Sequence, residues 1–350
     1  MQSQSKTDTC SDCGRTGKDG SLAGSTETKP VIEVFGLIEE QLSQVRAVID
    51  AQLAVNCVKS GNDKLLEAFK SHGGKMLRPG LVLLAGGSCG SITNKHIHVA
   101  AMVEMIHAAT LLHDDVIDEG QQRRGRPTIN HIWGNESAVL LGDLLLSRVF
   151  GMCVNLQPQI IEIIADAAAQ TCQGELRQIL QRRNWQLSES EYIEIITQKS
   201  ATLLSCCCRL GALLAGANNE EVQSLADYGL NTGIAFQITD DLLDIVGDEA
   251  RTGKTLGTDF DKNKLTLALI HLFETADKKQ RMAAKKLLQD GSVGKKAVAQ
   301  LLGATGSLAY ARSCARGYSA KAVAALDNLR QSSAKNALIE TARFVTDRSS

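Results

Sequence analysis

The sequence predicts an all-α protein built as one domain of long helices, and three observations lead there. From Val31 onward apolar residues recur at intervals of three and four, with no sustained two-residue alternation. No linker-like stretch divides the chain beyond residue 29, and 350 residues can form one domain with a substantial core. Two helical stretches end in the same acidic pattern, Asp114-Asp115-Val116-Ile117-Asp118 and Asp240-Asp241-Leu242-Leu243-Asp244, as if two central helices faced one another across a cavity.

Taken in order, residues 1–29 are rich in Ser, Thr, Gly and Asp with cancelling charges, and read as a disordered tail ahead of a domain spanning 30–350. The first periodic run, Val34, Leu37, Ile38, Leu42, Val45, Val48, Ile49 and Leu53, sets one apolar helical face. Similar runs follow over 96–118, 136–156, 159–181, 190–214, 220–246 and 306–327. Pro30, Pro79, Pro127 and Pro158 fall at or near the starts of such runs, where proline is tolerated.

The acidic clusters carry the chemistry. On a helix the first and fifth positions lie one turn apart, so Asp114 and Asp118 can grip one object, as can Asp240 and Asp244. Their apolar flanks imply at least partial burial, and buried like charges require cations. Oxygen ligands without Cys or His at ligand spacing favour Mg²⁺, which binds through one or two carboxylates plus a substrate's phosphates. An EF-hand would need acids at alternate positions, then Gly and a later Glu, and neither cluster has that.

Basic loops follow each cluster, Arg123-Arg124-Gly125-Arg126 after the first and Arg251 to Asp259, then Lys262-Asn263-Lys264, after the second. Upstream, Gly73-Gly74-Lys75-Met76-Leu77-Arg78-Pro79 sets two more cations in a turn at a helix start. Acids for metals beside bases for oxyanions are what a diphosphate needs. Gly253-Lys254-Thr255 is no P-loop, because five residues rather than four separate it from Gly247 and the preceding segment is helical. His107 lies two turns before Asp114 on much the same face, whereas His113 reads as structural.

A net charge of -1 gives no general pull toward nucleic acid or an anionic membrane. No apolar run approaches the ~20 residues of a membrane span, and no signal-peptide core opens the chain, so the expectation is a soluble, cytoplasmic protein. Ten Cys, with Cys206-Cys207-Cys208 inside a helical pattern, read as reduced buried thiols, and the lone Cys10-to-Cys13 pair does not make a zinc site.

In combination these motifs resemble those of the trans-type polyprenyl diphosphate synthases, from about Phe35 to Arg348. The motifs occur in order: 74–79, Glu104-Met105-Ile106-His107, 112–118, Arg123-Arg124-Gly125, Gly142-Asp143, Gly174-Glu175, 236–244 and 253–259. The resemblance implies a bundle of helices around a deep cavity, usually a homodimer, extending an allylic diphosphate with isopentenyl diphosphate. It implies that Asp114, Asp118, Asp240 and Asp244 hold three Mg²⁺, and that Arg123, Lys199, Lys254 and Lys264 hold the allylic diphosphate. Lys75, Arg78, His107 and Arg124 would then hold isopentenyl diphosphate, with Ser200 and Gln237 facing the reacting carbons. Lys199, Gln237 and the aspartates thus count as catalytic. Three residues depart from the common pattern, Ser200 for Thr, Asn263 for Gly and Ala268 for Pro, and none removes a charged or metal-binding group.

Ala109, the fifth residue before the first cluster, is small, with Thr110 beside it and Met105 one turn deeper. By the resemblance this predicts a long product, in the C30–C50 class of quinone side chains, with geranylgeranyl or a shorter diphosphate as the alternative. Peripheral membrane contact for product release is compatible with this. A cyclase would have no second diphosphate for Lys75, Arg78, His107 and Arg124, and a non-catalytic subunit of a two-component synthase would be expected to lose acidic clusters.

Overall fold

The computed structural model describes residues 35–54, 63–71, 74–123, 125–247, 262, 264–289 and 295–347. The tail, its Cys10 and Cys13, Arg124, and 248–261 with Lys254 lie outside the described residues. After a short turn of 3₁₀ helix at Gly36–Ile38 come α1 (Glu39–Ala54), α2 (Asp63–Ser71), α3 (Leu77–Cys89) and α4 (Asn94–Ile117). They are followed by α5 (Ile129–Trp133), α6 (Asn135–Cys153), α7 (Pro158–Leu180), α8 (Glu189–Ile196), α9 (Thr202–Leu214) and α10 (Asn219–Val246). The chain ends in α11 (Leu267–Thr275), α12 (Lys278–Gln289), α13 (Lys295–Ala304), α14 (Ser307–Ala325) and α15 (Ser333–Asp347).

The all-α expectation holds, and the helices form a bundle. Among the described residues the only strands are β1 (Gln122–Arg123) and β2 (Arg126–Pro127), a two-residue antiparallel hairpin turning at Gly125 with φ 71°. So short a ladder leaves no alternation to read, and only the glycine marks it. Pro158 opens α7 at its first position and Pro79 sits in the first turn of α3, where no backbone donor is lost.

α3 and α4 are apolar on nearly every side and run through the interior, as such helices must. Two packed cores result. One joins α1, α3, α4, α6, α7 and α9 with Val222, Leu225 and Tyr228 of α10. The other joins α8 and α11 to α14 with Ile234, Ile238, Leu242 and Ile245 of the same α10. With 28 residues, and so about 42 Å long, α10 is a spine shared by both cores, as is α14, with Ala322 in the first and Ala311 and Ala315 in the second.

The run over 190–214, read as one helix, is interrupted by a π-helical turn at Thr197–Ala201 between α8 and α9. Its neighbours force the bulge. A side chain at Gly174 of α7 would overlap the backbone of Lys199, and one at Gly233 of α10 would overlap Ala201. Two glycines therefore clasp the turn from both sides, and it cannot relax into regular helix without losing that fit.

Candidate active site

Both acidic clusters sit at the C-terminal ends of their helices, with no basic residue in either last turn. The helix dipole is negative there, so carboxylates at these ends need external cations. Asp118 is itself the cap residue of α4, and its backbone N–H donates to the Asp114 carbonyl at 2.7 Å. The chain then turns back through Glu119 at φ 51°, closed by the Gly120 N–H on the Asp115 carbonyl.

The middle aspartate of each cluster has a structural partner. Asp115 is buried and receives the fork of Arg123, Nε at 3.0 and 3.1 Å and Nη2 at 2.7 Å. Asp241 accepts the Tyr192 hydroxyl at 2.6 Å and the Gln237 amide at 2.7 Å. Arg123, expected on the allylic diphosphate, meets Asp115 here and ties the hairpin to the end of α4. Gln237 also accepts the Ser200 hydroxyl at 2.6 Å, so Ser200, Gln237, Asp241 and Tyr192 form one hydrogen-bonded chain joining the π turn, α10 and α8.

Asp114 and Asp118, one turn apart on α4 as expected, meet different fields. Burial pushes the Asp114 carboxyl up to about 6, against the pull of nearby Lys199. Lys199 pairs with Glu175 and donates to the Gln178 amide oxygen at 2.8 Å, which holds its ammonium beside that carboxyl. Burial is the largest single influence on Asp118 and raises it too, but the combined pull of Lys264, Lys199 and Lys262 brings it below the usual carboxylate range. One of its oxygens meets Lys264 at 3.2 Å, and the other meets Arg182 at 3.2 Å and Lys262 at 3.7 Å. Lys199 and Lys264, expected at the site from the family resemblance, are thus brought to the first cluster. Asp240 and Asp244 lie partly buried toward the end of α10.

The other predicted residues gather on α3 and α4. Met76 caps α3 in a left-handed conformation at φ 55° with its side chain buried, so the turn read as opened by glycines is set by a non-glycine residue. The charges of Arg78 and of Glu104, one turn before His107, both act on the buried Cys207 thiol. Ala109 and Met105 are fully buried, and the Thr110 hydroxyl donates to the His107 carbonyl at 2.8 Å. His113 lies where a side chain at Gly142 would be, with its Nε2 3.2 Å from the Val139 carbonyl.

With this geometry in hand, comparison with known proteins is decisive. The sequence model of the family described as polyprenyl synthetase matches residues 62–304. The chain belongs to that family. It is 36% identical over 282 residues to an octaprenyl diphosphate synthase of Escherichia coli, covering 79% of this chain and 87% of that protein. It is 31% identical over 320 residues to a geranylgeranyl diphosphate synthase of Methanosarcina mazei, 89% of this chain and 97% of the relative. The crystal structure of a polyprenyl synthase from Caulobacter crescentus, complexed with calcium and isoprenyl diphosphate, superimposes with a TM-score of 0.85 at 32% identity, over 91% of this chain and 98% of that one.

This member of the family is a prenyltransferase, and its site suits the divalent cations such enzymes use. Every candidate ligand is a carboxylate oxygen, the donor hard cations prefer. Asp114 leans toward holding a proton and Asp118 draws three cationic side chains, so each carboxylate calls for positive charge. Among the described residues no three His, Cys, Asp or Glu side chains converge closely enough to hold an ion by themselves. That suits an ion held by one or two carboxylates and completed by phosphates and water.

Sequence reasoning passed over Arg182, which lies in the turn after α7, and Tyr192 of α8. Neither belongs to a motif, and their partners lie 64 and 49 residues away. Glu175 stood in a motif without a role and here pairs with Lys199. The reading of buried thiols holds at Cys206, Cys207 and Cys208, whereas Cys89, Cys153 and Cys314 are half-buried and Cys172 is exposed. Among the described residues the cysteines are free, and burial pushes the Cys206 thiol up to about 12 and those of Cys207 and Cys208 upward as well, which leaves them unreactive. No helix of the described residues is long and apolar enough to cross a membrane.

Proposed function

We propose that this prenyltransferase is a trans-type polyprenyl diphosphate synthase that condenses isopentenyl diphosphate head-to-tail onto an allylic diphosphate. The observation that carries the reading is the crowd of cations, Lys199, Lys262, Lys264 and Arg182, at the carboxylate-bearing end of α4. Such a site attracts a polyanion together with metal ions.

Asp114 and Asp118 from α4, with Asp240 and Asp244 from α10, would hold Mg²⁺, three ions in all. Mg²⁺ bound there would act as a Lewis acid on the leaving diphosphate. Arg123, Lys199, Lys254 and Lys264 hold its oxygens, Arg123 from its place beside Asp115. As the allylic C–O bond breaks, these fixed positive charges stabilise the departing group more than the intact substrate. The Ser200 and Gln237 dipoles face the allylic carbons, and Lys75, Arg78, His107 and Arg124 hold the second diphosphate so that its alkene attacks the cation. The proton then leaves to the released diphosphate.

For the product we favour the C30–C50 class. Ala109 and Thr110 put little bulk above Met105 along the inner side of α4, whereas a large side chain there would block a growing chain. Chromatography of dephosphorylated products made from isopentenyl diphosphate and farnesyl diphosphate tests both statements. Products of thirty carbons or more support them, a single twenty-carbon product would move the assignment to geranylgeranyl diphosphate synthase, and no elongation under Mg²⁺ would sink the synthase reading.

A homodimer fits the surface. Leu140 and Phe150 of α6, Val154 just after it, and Leu176 and Leu180 of α7 are 61 to 81% exposed, and water-facing apolar stripes of this kind are normally covered. Light scattering on the purified protein should give twice the chain mass.

A further inference from the structure

We propose that Arg182 is a transferable diphosphate-binding residue, resting on Asp118 while no metal is bound and passing to a phosphate oxygen when Mg²⁺ takes that carboxylate. The proposal rests on the metal-and-diphosphate reading of the site given above.

The first argument is charge. Asp118 offers one negative charge, yet Lys264 covers one of its oxygens while Arg182 and Lys262 share the other. Arg182 and Lys262 thus compete for one oxygen, and a metal ion taking that carboxylate would displace cations able to turn to a multiply charged anion. The second argument is incomplete bonding. Arg182 uses an Nη on Asp118 at 3.2 Å, while its Nε is shielded from water with no hydrogen-bond partner. A guanidinium offers a planar fork, and phosphate oxygens fill such a fork better than one oxygen of a crowded carboxylate.

The third argument is how the side chain is carried. The turn after α7 is held by Arg183 in a left-handed conformation at φ 64°, by the Asn184 amide on the Gln181 side-chain oxygen at 2.5 Å, and by the Gln186 N–H on Asn184 at 3.1 Å. A backbone so fixed leaves side-chain rotation as the way for the guanidinium to move. The exchange also couples the two ligands, because Mg²⁺ must displace Arg182 from Asp118, and the displaced charge then favours the diphosphate.

The test is calorimetry on the full chain, titrated first with MgCl₂ alone and then with inorganic diphosphate at saturating Mg²⁺. Removing the resting cation should strengthen one interaction and weaken the other. Arg182→Gln should bind Mg²⁺ alone about threefold to tenfold more tightly, and diphosphate about tenfold more weakly, than wild type. Arg182→Lys should stay within about threefold of wild type on both counts, since it keeps the charge. Arg182→Ala provides a second neutral variant, with far-UV circular dichroism as the check on folding. Neutral variants that weaken both ligands would show a purely structural residue, and unchanged affinities would show a surface ion pair; either overturns the proposal. Wild-type protein that binds no diphosphate under Mg²⁺ would instead overturn the reading of the site itself.

Discussion

Asp114 and Asp118 differ by one helical turn, yet their environments push them in opposite directions. Burial raises Asp114 from 3.8 to about 6, so the folded, metal-free protein holds its proton more tightly than the unfolded chain does. Stability therefore falls as pH rises through that window, by on the order of 3 kcal/mol from this group. Asp118 contributes the opposite slope, because its lowered value adds stability that is lost on acidification. Asp114→Asn should then raise the melting temperature of metal-free protein at pH 7.5 and leave it nearly unchanged at pH 4, as thermal denaturation would report. The same shift makes Mg²⁺ compete with a proton. Apparent Mg²⁺ affinity should climb up to about tenfold per pH unit below about 6 and level off above it, and a flat calorimetric profile from pH 5 to 7.5 would contradict that. Ala109 carries the remaining prediction at this scale. Ala109→Phe must place a ring where a fully buried methyl now sits, so the product should shorten while the first condensations continue. Unchanged product length would show that Ala109 only permits close helix packing.

The element that matters most is the π turn. Gly174 and Gly233 let α7 and α10 close on it, and the turn in its place sets Lys199 beside Asp114 and Ser200 on Gln237. Gly174→Ala or Gly233→Ala would push the turn outward. The expected result is a loss of kcat of tenfold or more with a destabilisation of about 1 to 3 kcal/mol, read from steady-state kinetics and urea denaturation. Far-UV circular dichroism should barely move, because the flanking helices persist. The periodicity over 190–214 gave no sign of this bulge, since the apolar pattern of α8 runs on into α9 and the cause of the break lies in residues of other helices. The ends of α4 and α10 were legible because acids, polar loops and the loss of apolar spacing all act locally.

At the scale of the whole molecule, α10 belongs to both cores, so the two halves of the bundle should unfold together. Tyr228 ties this spine to the last helix through its hydroxyl, which donates to the Leu338 carbonyl at 2.6 Å from a fully buried position. Tyr228→Phe would remove that bond, leaving the carbonyl its intrahelical donor alone, and lower stability by about 1 kcal/mol. Denaturation followed by circular dichroism and by Trp fluorescence should give one coincident transition in both proteins, and two separated transitions would mean that α10 does not couple the cores.

The division between sequence and tertiary structure follows interaction range. Helical content, the two carboxylate pairs one turn apart, the basic residues near them and the inertness of the cysteine run were determined by the sequence alone, because each depends on neighbours within a turn or two and on the exclusion of water from apolar faces. Tertiary structure decided which aspartates are anchored, since Asp115 takes Arg123 only because the hairpin folds back onto the end of α4, and Asp241 takes Tyr192 from 49 residues away besides Gln237 of its own helix. It likewise decided that Arg182 and Lys264 meet on one carboxylate 64 and 146 residues away. Pair electrostatics falls off with separation in space, whatever the separation along the chain, and only the folded bundle sets those distances.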